Sequence, residues 1–533
     1  MTRSILKASL LGFTLALLAG AACDGGVVGP PDACGGCGEG RICEGSTCVC
    51  APPALPCSPA CAADDATCER GTYDEAACRC QPLSPTTILE SIALTPSPIV
   101  LEVGQSVALT ATGHFSSGED LVISTSVDWA VQPGEIGGIT SSGSLTAARA
   151  GAATVTATVG TVVGSAPLTV TAGLPKELRG LWVTRWNYGS AADVERIMGE
   201  AKDAGFNTIF FQVRGRADAY YHSNVEPWAS ELSGTLGQDP GWDPLATALA
   251  AARTHGLELH AWINTVPVWT GATAPPESTP RHVLLDHPDW LMVDEGGRAQ
   301  TLGDTGYLCL SPGIPAARAH LLAVMEDLLS SYDVDGLHLD YIRYYGRTFS
   351  HDAASEQAFA TAQAADASLT WEDWQRDQVA EIVRGAWAIT RGHPGVKLTA
   401  AVWHNNDLAV TGSRGRRDYY QDSHAWLAEG IVDAIVPMNY MRIDSDPSFA
   451  TLADDHLAHV GSRHVYMGVH VLGRSSEADP TGAEMIRNIE YARSVGSQGV
   501  VLFAYPYLAD NALWDELSTG PFAEAAEPPP ITW

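Results

Sequence analysis

The residues best suited to chemistry fall in short alternating runs. In Glu258-Leu259-His260-Ala261-Trp262-Ile263-Asn264, the apolar Leu259, Ala261 and Ile263 alternate with His260, Trp262 and Asn264. In Gly336-Leu337-His338-Leu339-Asp340, Leu337 and Leu339 alternate with His338 and Asp340. A period of two belongs to a β-strand, so each polar set shares one face. Other apolar runs end in further polar and aromatic side chains: Gln212 and Arg214 with Asp218 just beyond, Trp403, Asn439 with Tyr440, and Tyr505. Gathered at one place, such groups suit a sugar, because aromatic faces stack on the apolar faces of pyranose rings and polar groups bond the hydroxyls. Were such a site to cut the sugar, as a family resemblance given below implies, it would normally need two carboxyls, one to protonate the leaving oxygen and one to attack or to activate water. Asp340 is expected to be the nucleophile or base, with His338 and Arg343 as neighbours that hold it ionised. Asp218 is the expected second carboxylate, ahead of Asp407, Asp444, Glu226 and Asp304. Arg214, His260, Trp262, Asn264, His338, Arg343, Trp403, Asn439, Tyr440 and Tyr505 are the expected substrate contacts. Each has a plainer reading: Asp340 as a helix cap or a salt-bridge partner of Arg343, the histidines and tryptophans as satisfied core.

Positioning these groups together requires a scaffold whose strands end on one rim. Between residues 176 and 522, strand-like runs at 180–184, 208–214, 258–264, 336–340, 397–403, 434–439, 465–470 and 499–505 alternate with amphipathic segments. The segment 191–204 shows the helical period, with Ser190 as N-cap, Val194, Ile197, Met198 and Ala201 on one face, and Gly205 as stop. Eight such units in one region predict a (β/α)8 TIM barrel, whose active site lies at the C-terminal ends of the strands.

The rest of the chain reads differently. Residues 1–22 combine Arg3 and Lys7, an apolar stretch at 8–18 and the small residues Ala19-Gly20-Ala21-Ala22, the pattern of an export signal. Cys23 follows them directly, which resembles a bacterial lipobox and implies that Cys23 is lipidated and anchors the protein to the cell envelope, at the periplasm or cell surface; simple secretion is the alternative. Ten of the twelve cysteines lie between Cys34 and Cys80, so 23–85 is expected to be a small disulfide-stapled segment, with a zinc site at Cys34-Gly35-Gly36-Cys37 as the rival reading. From 86 to 172, short Val-, Thr- and Ile-rich runs separated by turn residues predict an all-β sandwich. Residues 523–533 form a C-terminal tail. With 533 residues and a net charge of −31, the chain is multidomain and a poor partner for nucleic acid.

Two sets of motifs carry resemblances. Leu101-Glu102-Val103-Gly104-Gln105, Val127-Asp128-Trp129, Gly143-Ser144-Leu145-Thr146-Ala147 and Ala150-Gly151-Ala152-Ala153-Thr154-Val155 resemble, in order, the group 2 bacterial immunoglobulin-like domain, commonly a spacer or adhesin. Arg179-Gly180-Leu181-Trp182-Val183, Phe211-Gln212-Val213-Arg214, Asp218-Ala219-Tyr220-Tyr221, Asp239-Pro240-Gly241-Trp242-Asp243-Pro244-Leu245, His287-Pro288-Asp289-Trp290 and Tyr332-Asp333-Val334-Asp335-Gly336 resemble the glycosyl hydrolase-like family 10 proteins of the bacterial envelope. That resemblance implies a glycoside hydrolase acting without a cofactor on peptidoglycan or another envelope polysaccharide. The sequence departs from related barrels at Val402-Trp403-His404-Asn405-Asn406-Asp407, which holds no glutamate. Two other classes are weighed beside it: a metal-dependent carbohydrate deacetylase with His260, His338 and Asp340 around zinc, and a non-catalytic glycan-binding lipoprotein.

Overall fold

The computed structural model describes residues 87–304, 306–472 and 481–533, together with the strands Arg41–Glu44, Thr47–Cys50, Gly71–Asp74 and Arg79–Pro82, which pair as two antiparallel hairpins. The export signal, the lipidation of Cys23 and the cysteine pairing expected within 34–80 lie outside the described residues. The chain divides into two compact units, 1–173 and 174–533.

The first unit contains the sandwich. One sheet orders Asp128–Gln132, Gly151–Val159, Val162–Thr171 and Ile99–Glu102; three-stranded sheets are built from Leu89–Thr95, Thr110–Phe115 and Asp120–Val122, and from Gly137–Ile139, Ser144–Ala147 and Ser106–Ala108. Along Val162–Thr171 every second residue, Gly164, Ala166, Leu168 and Val170, is buried, as a strand with one face on a core requires. Leu145, Val155 and Ala157 meet them in that core.

In the second unit, β1 (Leu178–Val183), β2 (Thr208–Arg214), β3 (Glu258–Asn264), β4 (Gly336–Asp340), β5 (Lys397–Val402), β6 (Ala434–Pro437), β7 (His464–His470) and β8 (Gly499–Phe503) close a barrel in that order. All neighbours are parallel, and β8 pairs back onto β1. Helices α1 (Ala191–Asp203), α2 (Pro244–His255), α3 (Pro315–Ser331), α4 (Trp371–Gly392), α5 (Ser423–Glu429), α6 (Phe449–Ala458) and α7 (Ala483–Ser494) follow β1 to β7 in turn, and α8 (Tyr505–Asp510) follows β8. Local signals set the helix ends. Ser190 caps α1 by accepting from the Asp193 amide, and Asp243 caps α2 by accepting from Ala246, with Pro244 in the first turn. All seven residues of β2 are buried, because a barrel strand is covered on both sides. Residues near the C-terminus belong to this unit as well: Glu527 accepts from the Glu177 amide, Asn207 donates to the Ala526 carbonyl, and the Trp533 indole donates to Asp433.

Candidate active site

The strand ends of the barrel surround a cavity of about 530 Å³. Its walls are aromatic: Trp182 from β1, Trp262 from β3, Trp403 beyond β5, Tyr440 beyond β6 and Phe503 from β8. Tyr440 stacks on Phe503 with centroids 5.3 Å apart, and its ring meets Trp182 edge-on at 6.5 Å. Gly468 of β7 makes room for this wall, since a Cβ there would lie 2.5 Å from the Pro437 carbonyl oxygen and 3.1 Å from Trp182 Cη2.

Asp340 ends β4 inside the cavity, 7% exposed. Its Oδ1 accepts the Tyr341 amide at 2.6 Å and lies 3.7 Å from Arg343 Nη1. Burial pushes the carboxyl above its ordinary range, against the pull of the Arg343 charge, the Tyr341 amide and the Trp262 indole. Tyr341 has a left-handed backbone, φ 50°, a conformation that a tyrosine adopts only under constraint. The Arg343 guanidinium lies over the Tyr341 ring at 4.4 Å and the Trp403 ring at 5.3 Å. Beside Asp340 stands an amide hub: Asn264 Oδ1 accepts from Gln212 Nε2 and Trp262 Nε1, each at 3.1 Å, while its Nδ2 donates to the Gly215 carbonyl. Trp262, Asn264, Asp340, Arg343, Trp403 and Tyr440 are thus brought together as expected contacts of one cavity.

His338 is buried next to this wall. Trp182 Nε1 donates to its Nε2 at 3.1 Å, which leaves the proton on Nδ1 to be donated to Thr399 Oγ1 at 2.9 Å. Burial, with His260 close by, keeps the ring neutral. In the strand register His260 lies two residues deeper than Trp262, fully buried near the same threonine, so both histidines pack the barrel interior and neither lines the cavity.

Other expected contacts lie elsewhere. Arg214 turns away because the β2–β3 register shifts between Gln212 and Arg214, which breaks the alternation that would have aimed it inward. Its guanidinium instead grips both carboxylate oxygens of Glu226 at 2.7 Å and donates to the carbonyls of Asn264, Thr265 and Pro267. Asp218 is fully buried and closes its own turn, accepting from the amides of Gly215 and Arg216. Asn439 donates to the Phe449 carbonyl at the start of α6. Tyr505 starts α8, since Pro506 ends strand pairing, and its hydroxyl donates to Glu200 of α1. Asp407 pairs with Arg416, Asp444 with Arg442 and Asp304 with Arg298. Among the described residues, Asp340 is the only carboxylate lining the cavity.

The cavity also holds groups that the strand patterns did not single out. Arg185 and Trp186 lie two and three residues beyond β1; the Arg185 guanidinium lies 4.5 Å from the Trp186 ring and donates to the Tyr307 hydroxyl at 3.2 Å. Gly215 admits it, for a Cβ there would sit 2.5 Å from Arg185 Cζ. Extending the strand-end rule three residues past β1 would have found both. Arg185 Nε and Arg343 Nη1 are buried without a hydrogen-bond partner among the described residues. The zinc reading lacks its ligands, because His338 spends both nitrogens inside the barrel and His260 packs beside it.

Comparison with known proteins adds a second line of observation. The family model described as glycosyl hydrolase-like 10 matches residues 177–471, and that of the bacterial Ig-like domain (group 2) matches 88–170. The glycosyl hydrolase YngK of Bacillus subtilis (strain 168) is 30% identical over 410 residues, covering 70% of this chain and 78% of that protein. The glycosyl hydrolase DigH of Escherichia coli (strain K12) is 29% identical over 315 residues, covering 52% and 68%. Among solved structures, the PgaB (BpsB) glycoside hydrolase domain from Bordetella bronchiseptica aligns with a TM-score of 0.47 at 16% identity, over 64% of this chain and 99% of that one.

Proposed function

The chain belongs to the glycosyl hydrolase-like 10 family and is a glycoside hydrolase, and from that premise we propose that it cuts a bacterial cell-wall or other envelope polysaccharide in the cavity around Asp340. The observation that carries this reading is a single buried carboxylate, 3.7 Å from the Arg343 guanidinium and set among indole and phenol rings. In it, sugar rings stack on Trp262, Trp403 and Tyr440 while Asn264 and Arg343 bond hydroxyls. Asp340 in its ionised form, favoured by Arg343 against the opposing effect of burial, attacks the anomeric carbon or takes a proton from the attacking water as the bond to the leaving oxygen breaks, and that oxygen takes its proton from solvent.

The same proposal places the enzyme outside the cytoplasm. The leader at 1–22 exports it, and lipidation of Cys23 attaches it to the envelope membrane. Labelling by a palmitate analogue that Cys23→Ser abolishes supports the anchor; an unmodified, wholly soluble protein refutes it.

The experiment for the activity is incubation of the protein with purified peptidoglycan and with envelope polysaccharides, with and without chelator. New reducing ends that persist in chelator support hydrolysis. Acetate release that chelator stops would favour the deacetylase reading, and retention of glycan without product a lectin.

A further inference from the structure

Outside the cavity, on the helices that follow β5 and β6, four histidines and an aspartate meet. His424 lies in α5, Asp455 and His456 lie in α6, and His459 follows α6 directly; His404 follows Trp403 on the rim. His424, Asp455 and His459 each bring one ligand atom within 4.8 Å of the other two. His424 Nε2 is 4.0 Å from Asp455 Oδ2, and His459 Nδ1 is 3.8 Å from Asp455 Oδ1. The two imidazoles lie face to face, centroids 4.1 Å apart and planes 14° from parallel.

Hydrogen bonds fix the tautomers. His456 Nε2 faces the His404 carbonyl oxygen at 3.0 Å, and a carbonyl only accepts, so Nε2 carries the proton and Nδ1 is bare. That bare Nδ1 accepts from His424 Nε2 at 3.0 Å, which leaves His424 Nδ1 with its lone pair. His459 Nδ1 donates to the Asp455 carbonyl oxygen at 2.8 Å, which leaves Nε2 with its own. Both rings are therefore neutral, and the nitrogens nearest Asp455, His424 Nε2 and His459 Nδ1, hold protons that pass to the other ring nitrogen when an ion takes their place. Asp455 has no arginine or lysine partner among the described residues; the side-chain nitrogens within 4.0 Å of its carboxylate are those of these two neutral histidines.

We propose that His424, Asp455 and His459 form a binding site for a divalent transition ion, zinc foremost, that ties α5 to α6. Two imidazoles and one carboxylate are a set that zinc accepts with water in the fourth place, whereas calcium and magnesium take oxygen ligands. Ligands of a tetrahedral zinc stand about 3.4 Å apart, so the three ligand atoms, now within 4.8 Å of one another, draw inward around the ion, and the two rings exchange their present hydrogen bonds for it. His459 is 51% exposed, which gives the ion an entry path. The site is separate from the hydrolytic cavity and independent of the substrate assigned to it.

The test uses the full chain, dialysed to equilibrium against zinc, with metal per protein measured for wild type, His459→Gln and Asp455→Asn. Cysteines and other histidines contribute equally to all three, so the difference reads this site alone. Wild type is expected to hold one more zinc than either variant, with affinity at the site reduced at least about tenfold in each, since even an outer-shell loss costs that much. Zinc is also expected to raise the melting temperature of wild type over its chelated form, and not that of the variants. His459→Gln alters a half-exposed side chain, so its fold is secure. Equal zinc content in wild type and His459→Gln, or an equal zinc-dependent shift in melting, overturns the site.

Discussion

Burial and the Arg343 guanidinium act on Asp340 in opposite senses, and the balance between them sets when the carboxylate is available. Replacing the acid by its amide keeps the shape and removes the charge. Asp340→Asn is therefore expected to melt like wild type and to lose about 10²–10⁴-fold in kcat, read as reducing ends released; near-normal turnover would remove Asp340 from the chemistry. Because the folded carboxyl titrates above its ordinary 3.8, the ionised form accumulates only as pH rises past that raised value, and kcat/KM should climb there. Arg343→Gln withdraws the main force holding the value down, so the climb should move to higher pH; an unmoved acid limb counts against the pairing. Asp340 was legible in the sequence because its strand alternates without interruption up to its last residue. Arg214 was not, because a one-residue register slip leaves no mark in composition, and Asp218 was not, because a carboxylate that closes its own turn has the same sequence as one that faces a ligand.

Among the elements, the connection from β2 to β3 shows how a misread residue still serves the site. The Arg214–Glu226 pair is 1% exposed on both sides, takes His320 as a third member, and pins the segment that carries Gly215 beneath Arg185. Burial opposes ionisation of Glu226, yet Arg214 and His320 outweigh it and hold the carboxyl down to about 2. A depressed carboxyl contributes its stability above the unfolded value of 4.5 and loses it as pH falls toward 2. Glu226→Gln leaves a buried guanidinium uncompensated and is expected to cost about 3–5 kcal/mol at neutral pH. It should also flatten the loss of stability between pH 4.5 and 2, as read from urea denaturation across that range. The eight strands themselves were legible, since each is a short apolar run set between amphipathic or turn-rich segments. Their ends were not: β8 stops two residues before the apolar pattern does, and Tyr505, with Pro506 after it, begins α8.

For the whole molecule, two units with separate hydrophobic cores imply separable roles. A chain beginning at Leu174 is expected to fold and to hydrolyse short soluble glycan fragments at the rate of the full protein; a large fall in kcat would show that residues before it complete the site. The immunoglobulin-like unit was legible from its ordered motifs, whereas the pinning of residues 523–533 to the barrel depends on backbone contacts that no side-chain pattern announces. The cavity has a further practical consequence. Of fifteen tryptophans in the chain, Trp182, Trp186, Trp262 and Trp403 line it, and Trp186 is 62% exposed to water. A sugar that stacked on these indoles would displace solvent from them and shift their fluorescence emission to shorter wavelength. Unlabelled protein can therefore report glycan binding directly, without a chromogenic leaving group and before any bond is cut.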